Sequence, residues 1–310
     1  MQKSSLPRTS VLQAINNASS VMVRILFKPF DAEKWFIIGF AAWLAQLSGS
    51  FNPRPFLQIS RYSQQNHIRF LNIKQFFDAN IETISILAIP IALIAFAFSV
   101  LLIWLSSRAR FIFLNSVVNN VADIKKPWHE LASLANSLFF FRILAGIISV
   151  AVMFIMVAMF ALFLGFFKTM PVLFLLPAYL PFTILLLAII MVFVFTKDFV
   201  VPIMFRCNIK IIAAWKKFLN IFSSNKIDFL LYLVMRIFVV SVFYFLIVAL
   251  VLGTCGMACC FLGIPYIGTV LILPFLVFIR AFSLCFLQQF GIELDIFPIS
   301  HEQPESVDNA

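Results

Sequence analysis

The chain has 310 residues, 63% of them hydrophobic and 12% charged, with forty phenylalanines and a formal net charge of +10. A mean hydropathy of +1.03 excludes an ordinary water-wetted surface, which draws roughly a quarter of its residues from Asp, Glu, Lys and Arg. The basic excess does not point to nucleic acid as a partner, because the cations flank apolar runs instead of forming a polar domain.

Residues 1–30 lack the continuous apolar core and small-residue cleavage site of a signal peptide. Instead, Val11, Leu12, Ile15, Ala18, Met22, Ile25 and Leu26 recur at helical spacing. Residues 1–34 are therefore expected to hold an N-terminal interfacial helix that lies along the headgroups and enters the membrane near Trp35. Residues 35–290 read as an all-α, polytopic transmembrane helical bundle of about six spans with cytoplasmic amphipathic helices between them. A hydrocarbon core of about 30 Å takes roughly 20 apolar residues per helix. The runs 81–105, 138–164, 171–196, 228–252 and 266–288 meet that length, and Trp35 to Leu47 is a short first span. Pro177, Pro181 and Pro274 each remove a helical hydrogen bond and predict kinks.

With six spans, fifteen Lys and Arg residues fall in the N-terminal segment and the second and fourth connections, against five on the opposite side. The positive-inside rule then puts both termini in the cytoplasm. Residues 48–80 form the one sizeable extracytoplasmic connection, and residues 291–310 an acidic tail with Pro298 and Pro304 that is expected to be disordered. Two cytoplasmic connections share a spacing, since Arg110 lies eighteen residues before Trp128 and Lys197 eighteen before Trp215. Each is followed by an arginine early in the next span, Arg142 or Arg236. In the second, Ile211, Ile212, Trp215, Phe218, Leu219 and Phe222 form one helical face, which would lie aromatic side down in the interface. In the first, Phe113, Leu114, Val117, Val118 and Val121 take the same phase, with Pro127 ending the stretch.

Few residues offer chemistry. Cys255, Cys259 and Cys260 lack C-x-x-C spacing and a nearby His. Interleaved with Gly253, Gly256, Ala258 and Gly263, they fit close helix packing, with a disulfide or a metal as alternatives. His129-Glu130-Leu131-Ala132-Ser133 fails the zinc-protease pattern, because Ser133 stands where the second ligand histidine is needed. Asp198 and Asp228 flank spans beside Lys197 and Lys226, where neutralisation or helix capping accounts for them. No catalytic, cofactor-binding or metal-binding residue is assigned. The remaining constellation is basic: Arg142, Arg236 and Arg280 sit in the inner quarter of their spans, with Arg108, Arg110 and Lys197 nearby. Either these side chains snorkel to the headgroups, or they converge on a basic inner rim suited to a lipid phosphate or another amphipathic anion.

Three segments carry a resemblance: Phe27-Lys28-Pro29-Phe30 leading to Lys34-Trp35, Arg110-Phe111-Ile112-Phe113-Leu114 leading to Pro127-Trp128, and Pro265-Tyr266-Ile267-Gly268-Thr269-Val270 before Arg280-Ala281-Phe282. Together the chain resembles uncharacterised multi-pass bacterial inner-membrane proteins, the group of YciC-like proteins and of the membrane domain fused to some glycerophosphodiester phosphodiesterases. That resemblance implies an inner-membrane bundle of about six spans and carries over no catalytic residue. The expectation is a non-enzymatic membrane protein that binds or organises lipid, possessing anionic membrane lipids as partners, or that moves an amphipathic anion. Alternatives are a scaffold for a membrane protein partner and, third, a membrane-embedded lipid enzyme.

Overall fold

The computed structural model describes residues 10–47, 81–166, 176–291, 294, 295 and 297, and every regular element among them is helical. In chain order these are α1 (Val11–Leu26), α2 (Ala32–Gln46), α3 (Ile81–Asn119), α4 (Lys125–Glu130), α5 (Ala132–Phe166) and α6 (Leu176–Phe195). A π-helical turn, Thr196–Val200, leads into α7 (Val201–Cys207). The chain continues through α8 (Ile211–Ser224), α9 (Lys226–Gly253), α10 (Met257–Gly263), α11 (Pro265–Leu271) and α12 (Leu273–Gln288).

Each long helix is polarised along its length. One end of α3, α5, α6–α7 and α9 packs with α1, α8 and α12 into a single body, whose fully buried side chains include Phe111, Leu138, Phe199, Phe218, Phe229, Tyr232, Phe282 and Phe286. Aromatic rings knit this body: Phe199 stacks on Phe218 at 5.6 Å, Tyr232 on Phe282 at 4.8 Å, and Phe229 meets Phe286 edge-on at 5.4 Å. The other ends leave the body as arms that carry no Lys or Arg and bare their apolar side chains, among them Ile89, Phe96, Ile147, Phe154, Leu187, Phe245 and Leu252. Such surface is stable only in hydrocarbon, where helices satisfy their own backbone groups.

Four helices are long and apolar enough to cross a membrane: Ala88–Asn119, Ala132–Met159, Thr183–Cys207 and Lys226–Gly253. Pro265–Leu271 and Leu273–Gln288 make a fifth only if counted together across a 62° bend. The first expected span is shorter than a span, because α2 has fifteen residues and a length of about 22 Å. Among the described residues the count is therefore four or five, against the six or so expected from the sequence.

The bend has a local cause. Pro274 has no N–H to give the carbonyl of Val270, one turn earlier, and that carbonyl instead accepts the Trp35 indole N–H at 3.1 Å. Two glycines allow the surrounding close approach: a Cβ on Gly39 would lie 2.8 Å from Val270 Cγ2, and one on Gly268 would lie 2.3 Å from the Leu262 carbonyl oxygen. By contrast, a Cβ on Gly253, Gly256 or Gly263 meets nothing within 4 Å among the described residues, so these three glycines show no close approach there. Gly256 serves a turn at φ +86°, and all three clustered cysteines are free thiols.

The amphipathic helices exist but find other partners than expected. The buried side of α1, with Ala14 and Ala18 fully covered, packs on α12, and the Ser10 backbone and Gln289 side chain exchange two hydrogen bonds at the end of that contact. It faces protein instead of headgroups, because small residues four apart let two helices close up. On α8 the aromatic face goes into the body, with Phe218 buried and Trp215 against Phe141, while Ile212 and Leu219 point outward. The stretch from Phe113 to Val118 is the buried end of α3, which stops at Asn119 before a left-handed Asn120; Pro127 lies within α4. Asn208 ends α7 in the same left-handed way, so both basic connections share the order helix, left-handed Asn, short Trp-bearing helix, and arginine-bearing span. Leu294 and Phe297 of the acidic tail are buried in the body; the rest of that tail and the 48–80 connection lie outside the described residues.

Replacing Trp35 by Phe removes the donor to Val270 and should lower stability by about 1–3 kcal/mol, read as thermal unfolding in mild detergent. Its cost should shrink in a Pro274→Ala background, where a backbone N–H again faces that carbonyl. Gly268→Ala should destabilise strongly while Gly263→Ala is nearly neutral; equal effects would contradict the packing of α11 on α10.

Candidate anion-binding site

At the junction of body and arms lies a cavity of about 220 Å³. Five elements converge on it: Arg110 comes from α3, Lys197 and Asp198 from the π turn, Arg236 from α9, Arg280 from α12, and Ala42 and Ala45 of α2 close one side. Above the charged groups the wall is apolar, with Val194, Val240, Phe275 and Leu276. One end of an occupant would meet cations and the other hydrocarbon-like surface.

The charges are held by a backbone irregularity. Pro202 has no N–H to return to the preceding turn, and the Val201 N–H bonds back to the Thr196 carbonyl, the wider π pattern. The Lys197 carbonyl, left without its helical donor, accepts from Arg280 Nη1 at 2.6 Å. The same turn brings Asp198, 1% exposed, onto Arg236, with Nε and Oδ2 at 2.5 Å, and the Tyr232 hydroxyl donates to that oxygen at 3.2 Å. Asp198 thus pairs across helices with Arg236, and not with its sequence neighbour Lys197. Arg236 and Lys197 are half-buried in place of snorkelling freely, and Arg280 is 6% exposed.

Of the six basic residues singled out by sequence, four meet here: Arg110, Lys197, Arg236 and Arg280. The other two are engaged outside the cavity. Arg142 reaches across to α3, donating from Nη1 to Ser107 Oγ at 2.9 Å and Ser106 Oγ at 3.3 Å. Arg108 lies against the edge-to-face pair Trp104 and Trp128, 4.8 and 5.1 Å from their ring centroids, and donates to the Trp128 carbonyl. Tyr232 is the member that sequence reasoning missed, and Asp198 reads in the sequence only as neutralising Lys197 or capping a helix. Pro202, five residues beyond Lys197 at the end of an apolar run, was the available signal of an interrupted helix.

From Arg236 on to Gly253, the last residue of α9, the arm measures roughly 26 Å at 1.5 Å per residue. That is close to the thickness of a hydrocarbon core, about 30 Å.

Fold and composition define a polytopic helical membrane protein whose polar cavity sits at one edge of its apolar belt. The chain belongs to the family of unknown function DUF7544, whose model matches residues 9–297. No curated protein and no solved structure matches it. Among the described residues no group of three or more His, Cys, Asp or Glu is placed to hold a metal ion.

Asp198→Asn leaves Arg236 without its counter-charge and should destabilise the protein by about 3–5 kcal/mol. The double variant with Arg236→Gln should recover part of that loss. A double-mutant cycle in detergent checks this, and strict additivity would mean that the pair is not coupled.

Proposed function

We propose that the protein is a non-enzymatic component of a bacterial inner membrane, with both termini cytoplasmic, that holds an amphipathic anion in this cavity, the headgroup of an anionic lipid in the first instance. The observation that carries the proposal is a group of four cations and one carboxylate gathered in one cavity beneath an apolar wall, at the base of an arm about long enough to cross a hydrocarbon core. Buried cations of one sign repel and are costly to desolvate, and an anion that joins them relieves both. Orientation with this edge inward is supported by the charge distribution, since the apolar arms carry no Lys or Arg. The bacterial assignment rests on the resemblance to YciC-like membrane proteins. Arg108 and Arg142 belong to the scaffold of the site by their contacts, and the headgroup is assigned to Arg110, Lys197, Arg236 and Arg280.

Native mass spectrometry of protein solubilised mildly from its own membrane tests this. One retained anionic lipid is expected, lost in an Arg110→Gln, Lys197→Gln, Arg280→Gln variant and kept in Lys126→Gln, whose side chain is 74% exposed. Protein that carries no selective lipid but a stoichiometric second polypeptide would replace the proposal by a scaffold role.

A further inference from the structure

The cavity also constrains which anion it holds, and this step rests on the headgroup proposal above. Its single carboxylate is already committed, because Asp198 Oδ2 takes both the Arg236 guanidinium and the Tyr232 hydroxyl. Lys197 and Arg280 line the same cavity without a carboxylate within ion-pair distance among the described residues. Arg280 gives Nη1 to a backbone carbonyl, but its Nε is buried and has no acceptor. That is a donor on a side chain more than nine-tenths buried, beside a second cation, in a cavity whose one carboxylate is paired with Arg236.

Headgroup classes differ in how they would answer this. A zwitterionic headgroup brings an ammonium into a cavity already lined by four cations, whose one carboxylate is taken by Arg236 and Tyr232. A phosphodiester brings one negative charge to a cavity whose lining carries four cations against one carboxylate. A terminal phosphate carries about −1.5 to −2 at neutral pH and three acceptor oxygens, enough to neutralise Lys197 and to accept from Arg280 Nε together. Charge-assisted bonds of this kind, made out of water, are the strong ones.

We infer that the cavity is a site for a terminal phosphate, a phosphate monoester on an apolar or glycerol-based stem, held by Lys197 and Arg280 and framed by the Asp198–Arg236 pair. Lipid phosphatidate and soluble glycerol phosphate share that headgroup, and the apolar wall favours the lipid.

The test is competition of lipids for the full-length protein by native mass spectrometry, with dioleoyl phosphatidate, phosphatidylglycerol and phosphatidylcholine of matched chains, and with glycerol phosphate and inorganic phosphate as soluble competitors. The expected result is retention of phosphatidate over phosphatidylglycerol by about tenfold, the ratio worth one modest ionic contact, with the preference abolished in Lys197→Gln/Arg280→Gln. Displacement of phosphatidate by glycerol phosphate, at concentrations where inorganic phosphate does nothing, would support the monoester and assign the source to a soluble ester. Equal retention of phosphatidate and phosphatidylglycerol, both above phosphatidylcholine, would overturn the monoester and leave the anionic-headgroup proposal standing. Equal retention of all three would overturn both. A preference that survives in a folded double variant would remove these two residues from the site; if the variant does not fold, the ranking of the three lipids on the unsubstituted protein decides.

Discussion

The contact between Asp198 and Arg236 is the constraint around which the packed body is arranged. A carboxylate 1% exposed beneath four cations is tolerable only with a partner at hydrogen-bond distance, and Arg236 is in reach only because the chain around Asp198 is wound as a π turn. That turn follows from Pro202, whose ring takes the place of a donor and frees the Lys197 carbonyl for Arg280. One proline thus ties α6, α9 and α12 together through two polar contacts. Tyr232, which donates to Asp198, is itself stacked against Phe282 and Phe286.

The fold divides its work along the helix axes instead of between domains. In the body, helices meet through aromatic rings and small residues, as in a water-soluble core. The arms gain nothing from such packing, because lipid tails are as apolar as their side chains, and they remain spread. The cavity falls where these two regimes meet. It can be polar because the body supplies backbone carbonyls and a carboxylate, and it can accept an acyl-like stem because the arms begin there.

Much of the candidate site was legible as composition and little of it as contact. Arg110, Lys197, Arg236 and Arg280 stand out because a cation in an apolar run is costly, so each announces itself without any partner being known. Arg108 and Arg142 carry the same signal and went elsewhere, one to a pair of indoles and the other to two serines on α3. Nothing in the spacing of a single helix distinguishes these fates, since the serines and the second indole come from other elements. Asp198 was visible but paired with its neighbour Lys197 on adjacency, whereas its partner lies thirty-eight residues away on α9.

By itself the sequence determined that the chain is helical, that its long apolar runs belong in a membrane, and that most of its cations flank those runs while Arg142, Arg236 and Arg280 lie inside them. These properties follow from residue type and period, which act locally along each helix. Tertiary structure decided what the amphipathic faces touch: α1 and α8 bury theirs in protein, although their pattern would suit a headgroup layer equally well. It also decided that the last hydrophobic run is broken, because the indole that relieves Pro274 comes from α2. Finally, it chose which cations share a cavity, a matter of helix rotation and close approach that hydrophobic period leaves open.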